Sequence, residues 1–475
     1  MLLFSYQLMS YGILYNDIHS RLNPTSVTRI VTPGSTEQVA KLVREIAATG
    51  QKLSICGARH AMGGQQFGTD TVLLDGSQLD HIGIVDTTCG QIEIGAGVCW
   101  RPLVEALRAQ QAGTDPAWTI RQKQTGADDL TLGGSLAANA HGRGLQMRPI
   151  IADVEAFTLV TARGEILRCS RSSHPEMFCL AIGGYGCFGI ITSICLRLSH
   201  RLKLRRLVEI TTVDQLIPKL GQHIAAGALY GDFQFSIDEN SPDFLHRGVL
   251  SSYQSTTTDA PVTPAQEGLG KSDWERLIRL AHTDRAKVFE EYSRFYLSTH
   301  GRIYESDTHQ LSVYLPDYHL AIDQESCVEV PASEMIGELY VPPDRLVDFM
   351  GSAAHFLRGN GIPVIYGTIR LIQRDAESFL AWARQDSACV IFNLHTEHSE
   401  NGIAQATAAF RGLIDLALDL GGSFYLTYHR WATRSQLERA YPVFPEFLRL
   451  KQVHDPEHLF QSDWWRHHHN LFVPA

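Results

Sequence analysis

The chain has nine cysteines but no CxxC pair, and it has no Walker glycine–lysine loop, no zinc-ligand spacing and no nucleophile elbow. These absences argue against P-loop nucleotide hydrolysis, a zinc ribbon and an α/β-type serine hydrolase. The odd cysteine count and irregular spacing (56, 89, 99, 169, 179, 187, 195, 327 and 389) give no disulfide framework and point to a reducing compartment. Basic residues are in deficit, 41 against 51 acidic, for a net charge of −10. No excess of positive charge is available to neutralise phosphates, so a nucleic-acid partner is not expected. The single basic run, Arg201-Leu-Lys-Leu-Arg-Arg206, alternates with leucine and reads as an edge or exposed strand face. The apolar start, Met1 to Tyr15, has no basic residue ahead of it and is too short to span a bilayer. A soluble cytoplasmic protein without a membrane partner is expected. There is no internal repeat and no low-complexity tract.

With 475 residues, 44% of them hydrophobic, the chain is too long for one ordinary core and should form two or three domains. Residues 24–60 read as strand, helix, strand. Ser35 or Thr36 can cap a helix over 37–49, whose Val39, Leu42, Val43 and Ile46 share one face. Short strands follow at 71–75, 81–85 and 91–94, then a helix at 101–111. A hairpin over 152–161 and 165–169, a helix over 173–181 and a strand over 190–198 complete this part. Residues 238–285, rich in Ser, Thr, Pro and Asp, read as a long loop or insert. From 335 the pattern is regular: strand 335–341, helix 343–360, strands 363–371 and 388–394, helix 402–420, a strand at 424–428, then a helical tail. The fold class is α+β, with helices covering one sheet face.

Two loops of small residues carry the chemistry. The first, Gly57-Ala-Arg-His-Ala61, leaves a β-like run and holds one histidine, His60. The second runs from Gly126-Ala-Asp128 through Gly133-Gly-Ser135 and Ala138 to Ala140-His-Gly-Arg-Gly144. Backbone without bulky side chains can approach a ligand and offer its N–H groups to phosphate. Two such loops suit a long cofactor with a pyrophosphate in its middle. By contrast Gly184, Gly186 and Gly189 match G-x-G-x-x-G by letter only, because a helix precedes them and a strand follows. Among histidines, His395-Thr-Glu-His398 and His467-His-His469 invite a metal reading. The first lies at a strand end and the second in a tail without a fourth ligand, so no metal site is expected. Arg370 ends an apolar strand, where it either terminates the sheet at the surface or meets an anionic group.

The ordered series Thr32-Pro-Gly-Ser-Thr-Glu37, Gly57-Ala-Arg-His60, Gly95-Ala-Gly97, Gly126-Ala-Asp128, Gly133-Gly134, His141-Gly-Arg-Gly144 and Gly183-Gly-Tyr-Gly-Cys-Phe-Gly-Ile-Ile191 resembles the PCMH-type flavin domain of the vanillyl-alcohol-oxidase superfamily. The resemblance implies FAD, with residues 57–61 and 133–144 around its pyrophosphate and ring. It implies an adenine contact from the Ile190 backbone and an 8α-histidyl link at His60. No cysteine lies between 100 and 168, so the second, cysteinyl link of the berberine-bridge branch is not expected. The tail, Tyr428-His-Arg-Trp431 through Tyr441-Pro442, Asp455-Pro456 and Trp464, is most similar to the alditol and aldonolactone oxidases. There His429 matches a histidine that reaches the flavin and Arg370 a substrate-holding arginine. Ala432 replaces that branch's lysine, and Thr368 its glutamate. The implied architecture is a flavin domain over 1–203, a substrate domain over 204–435 and a segment 436–475 folding back. The implied activity is oxidation of a CH–OH small molecule by hydride transfer to flavin N5, with oxygen or another acceptor taking the electrons. Catalytic candidates are Arg370, His429 and His395, the last two as bases along with the neighbourhood of Asn393. Ala140, just before His141-Gly142, leans toward slow use of oxygen. Two other readings fit the same residues: a flavin reductase of this fold fed by a nicotinamide donor, and a non-catalytic flavin-binding protein.

Overall fold

A computed structural model describes residues 13–126, 128–257, 259, 261–264, 268–312, 315, 317–325 and 328–473. The predicted start lies largely outside these residues, as does Ala127. Strand β1 (Arg29–Val31) leads into helix α1 (Thr36–Ala48). The Ser35 side chain accepts the Gln38 amide, and Val39, Ala40, Val43 and Ile46 are buried on one face. Gly50, at φ +70°, stops the helix and returns the chain into β2 (Leu53–Cys56). Strand β3 (Val72–Asp75) lies between β1 and β2, parallel to both. A second sheet is antiparallel throughout. Its strands β4 (Gln91–Gly95), β5 (Val154–Val160), β6 (Ile166–Ser170) and β7 (Ile190–Arg197) lie in the order β4-β7-β5-β6. Helices α2 (Trp100–Gln110), α3 (Leu132–Ala137) and α4 (Pro175–Ala181) join these strands. The strand expected at 81–85 reduces to a bridge between Ile82 and Ile94.

The rest of the chain builds an eight-stranded sheet. Its strands are β8 (Lys203–Thr212), β9 (Ala228–Phe235), β10 (Arg247–Thr256), β11 (Ile303–Glu305), β12 (Ala332–Val341), β13 (Val364–Ile372), β14 (Ser387–Glu397) and β15 (Ser423–Phe424). They lie in the order β11-β8-β10-β9-β13-β14-β12-β15. Helices α5 (Val213–Ala225), α6 (Lys271–Thr283), α7 (Arg285–Ser298), α8 (Tyr318–Glu325), α9 (Leu346–Gly359) and α10 (Glu400–Asp419) surround it. The loop expected over 238–285 is therefore corrected: it holds β10, inside the sheet, and α6. The serines that disguised β10 have partners. Arg206 donates to Ser251 Oγ at 3.1 Å, and Ser252 Oγ lies 2.8 Å from His223 Nδ1. Satisfied in this way, a polar run can sit in a buried strand.

Helices α11 (Arg434–Ala440), α12 (Phe444–His454) and α13 (Asp463–Phe472) carry the tail back to the first sheet. The Leu53 amide donates to Leu459 O at 2.8 Å and the Gln461 amide to Leu53 O at 2.9 Å, extending the parallel sheet by a bridge. Lys451, fully buried, pairs with Asp455 and donates to Cys187 O at 2.7 Å. Asp455 also accepts the amides of Leu459 and Phe460. A buried pair with its remaining lone pairs filled fixes the tail in one place. Among the described residues no helix is long and apolar enough to cross a membrane.

Candidate active site

Strand β2 ends at Cys56 and the chain enters the loop 57–61; opposite it Thr131 caps the short helix α3. The two segments touch so closely that a Cβ on Gly57 would lie 2.2 Å from Thr131 Oγ1. Glycine is therefore required where the loops meet. Between them lie two adjoining cavities of about 870 and 930 Å³. They share Gly57, Ala61, Gln66, Thr131, Gly134, Ala138 and Thr427, so they form one continuous space. Gly133 lines the first part. Ala58, Arg59, His60, Gly126, Ser135 and Ala140 line the second. A Cβ on Gly126, at φ +98°, would enter open space. Three buried polar atoms of lining residues, Gln66 Oε1, Gln124 Oε1 and Thr125 Oγ1, have no hydrogen-bond partner in the protein. A buried unpaired polar atom is costly, and three in one cavity are suited to a polar ligand.

His60 stands in the second part of this space. Its Nδ1 lies 2.8 Å from His19 Nε2. Burial, reinforced by His19 and Arg59, lowers its pKa to about 3, so the imidazole is neutral at pH 7. A neutral imidazole is the nucleophilic form.

Other predicted residues stand behind the cavity wall. Asp128 binds Lys123 Nζ at 2.9 Å, pairs with Arg101 and accepts the Ser312 amide, holding the second loop from outside. Gly142 packs on Lys123 O, and Gly144 makes a turn in which a Cβ would strike Met147 Sδ at 2.2 Å. Ile190 is buried in the core beside α1, and its neighbour Ile191 is the residue that lines the cavity. The backbone contact expected of Ile190 does not depend on that burial, whereas the His429 side chain is not among the residues that line the cavity. It is buried between Phe410 and Trp431, with ring centroids 4.6 and 5.0 Å away, while Tyr428 lines the cavity. A one-residue change of facing reverses which side chain points inward, and the tail here has no regular periodicity from which to read it. The glycine-rich loop 183–189, dismissed as a nucleotide motif, contributes Gly186 and Gly189 to the wall. Its position in the ordered series was the available signal.

A network missed in the sequence sits beside Tyr428. Glu338, on β12, is fully buried and receives Tyr428 Oη on Oε1 at 2.8 Å. Its Oε2 lies 2.9 Å from His141 Nε2 and 2.8 Å from Tyr340 Oη. Burial alone would raise its pKa, but the His141 imidazole and the Arg370 guanidinium outweigh it and hold the carboxyl below its ordinary range. Arg370 is 7% exposed, and its Nε has no hydrogen-bond partner. In the sheet Arg370 pairs with Cys389 and Cys389 with Tyr340, two residues along from the row Thr368, Ile391, Glu338. The two rows therefore share one sheet face. Two residues further along β12 on that face, Ile336 lines the His60 cavity, while Asn393 and Tyr366 in the same row line a third cavity of about 1010 Å³ under α6 and α7. His395 stands beyond them, opposite Glu334.

Residues 27–170 match the FAD binding domain family. The chain is also similar to L-gulono-1,4-lactone dehydrogenase of Mycobacterium tuberculosis, 21% identical over 450 residues, which are 92% of this chain and 95% of the relative. The chain is a flavoprotein whose residues 27–170 form a PCMH-type FAD-binding domain. L-Gulonolactone oxidase of Bos taurus is 24% identical over 49% of this flavoprotein and 49% of its own length. Cytokinin dehydrogenase 2 of Arabidopsis thaliana is 28% identical over 39% and 36%. The flavoprotein is an FAD-linked oxidoreductase, and it acts with a small-molecule substrate and an electron acceptor. The small-residue walls and the unpaired Gln66, Gln124 and Thr125 atoms fit FAD.

Proposed function

We propose that this flavoprotein oxidises a CH–OH group of a lactone-like or alcohol substrate. The observation that carries the reading is the continuous cavity between the loops, with neutral His60 in one part and Tyr428 facing the same part. Bound FAD supplies a two-electron acceptor for the substrate's hydride. The chain's own part is to bind, orient and take a proton. Residues 57–61 and 133–140 hold the cofactor, and His60 is its attachment point. Tyr428, whose phenol burial keeps protonated, receives the substrate hydroxyl proton as it passes its own to Glu338. His141 and Arg370 keep that carboxylate charged and ready to accept it. This reading assigns to Tyr428 the place that the tail resemblance gave to His429. Ala140 lines the same cavity and is 5% exposed, which supports the reading that it slows use of oxygen.

In this reading the flavin domain, about 1–203, consists of two halves, the parallel sheet and the four-stranded sheet. The domain of 204–435 caps it, and 436–475 locks the tail against it. The names of the gulonolactone relatives support a lactone-like substrate. The experiment is anaerobic mixing of the flavoprotein with a panel of aldonolactones, alditols and simple alcohols, followed by absorbance. At least one CH–OH compound should bleach the flavin without a nicotinamide. Bleaching by a reduced nicotinamide alone would instead establish a flavin reductase.

A further inference from the structure

The cap brings together three side chains that the sequence keeps far apart. His282 comes from the end of α6, Glu334 from β12 and His395 from β14. His282 Nε2 lies 3.0 Å from Glu334 Oε1, and His395 Nδ1 lies 3.7 Å from the same oxygen. All three ligand atoms fall within 4.8 Å of one another. Each of these three atoms is buried, and outside these two contacts none has a hydrogen-bond partner in the protein. Glu334 itself is only 6% exposed. Two imidazole nitrogens that converge on one buried carboxylate oxygen either hold a proton toward it or, deprotonated, offer with it three lone pairs to a cation.

We propose that His282, Glu334 and His395 bind a divalent transition-metal ion of the zinc class. Two imidazoles and one carboxylate are a recurrent three-ligand set for such ions, with ligand distances of about 2.0–2.2 Å and a fourth position left open. Ligand atoms around such an ion stand roughly 3.3 Å apart for tetrahedral geometry. The observed 3.0 and 3.7 Å bracket that spacing. The second carboxylate oxygen is already oriented, because Tyr318 Oη donates to Glu334 Oε2. Tyr318 also lines the cavity of about 1010 Å³ under α6 and α7, so the site borders a space large enough for an organic ligand. Neither histidine motif of the sequence forms this site. His395 contributes without His398, whose Nε2 lies 2.9 Å from Ser333 Oγ, and the tail histidines take no part.

The test is isothermal titration of zinc chloride into holoenzyme stripped with chelator and gel-filtered with its flavin in place, with zinc counted by mass spectrometry after dialysis. One zinc per chain is expected. The Glu334→Gln variant, in which packing is preserved, should bind at least about tenfold more weakly, and His282→Ala with His395→Ala should abolish binding. A His467→Ala, His469→Ala variant should bind as the parent does. An unchanged flavin spectrum certifies that each variant is folded, and flavin reduction plays no part in the readout. Substoichiometric zinc in the parent, unchanged affinity in Glu334→Gln or in the double variant, or loss of binding on changing the tail alone would overturn the assignment.

Discussion

Replacing His60 by alanine should turn an acid-stable flavin into an extractable one. Precipitated with acid, the parent keeps its yellow colour in the pellet, whereas His60→Ala releases it to the supernatant. The expected change is from essentially all flavin retained to essentially none. The physical basis is the state of the ring: burial, then His19 and Arg59, lowers the His60 pKa to about 3, so at pH 7 the imidazole is neutral before any cofactor arrives. The substitution removes no large part of the core, since His60 is only partly buried. The variant should thus fold and bind FAD reversibly, with a lower flavin potential, because attachment withdraws electron density from the ring. Flavin retained covalently in His60→Ala would place the attachment elsewhere. Flavin released by the parent would favour a dissociable cofactor, as in a reductase.

Glu338→Gln should lower kcat by about 10²–10⁴-fold, the range of a lost proton acceptor, with little change in KM. Glutamine keeps the size and one acceptor oxygen but cannot take the proton that Tyr428 passes on. In the parent, the acid limb of kcat should lie below the ordinary carboxylate range, because His141 and Arg370 outweigh the effect of burial. In the variant that limb should vanish. Glu338→Asp, which retains the charge, should recover part of the rate, as a merely structural role would not require. The same group links stability to pH. Its folded pKa is depressed, so its contribution is present above the unfolded value of about 4.3 and is lost as pH falls through the folded value. An unchanged kcat in Glu338→Gln would remove the relay and leave Glu338 as a structural carboxylate.

The flavin loops were legible because their requirement is local. Gly57 must be glycine where Thr131 presses on it, and Gly126 sits at positive φ, so the need shows in the residue type itself. The α1 region was legible for a similar reason, with a cap, a periodic apolar face and a terminal glycine. What stayed hidden depends on distant partners. Glu334 and Glu338 occur two turns of the pleat apart in an apolar strand, and nothing within the strand announces that His282, His395 and Tyr318 meet one while His141 and Tyr428 meet the other. The alternation Glu334, Ile336, Glu338 on one face was the available sign. His282 was lost with its helix, since the serine-rich approach to it read as loop. His429 and Tyr428 differ by one position in an irregular stretch, where only the packing of Phe410 and Trp431 decides which faces inward.

The most direct measurement is an FAD titration of the apoprotein, read by absorption and by quenching of flavin fluorescence. One FAD should bind per chain, with the flavin bands shifted by enclosure between loops 57–61 and 131–140, and Gly134→Val should block it. An apoprotein that folds yet stays colourless at saturating FAD would contradict the account.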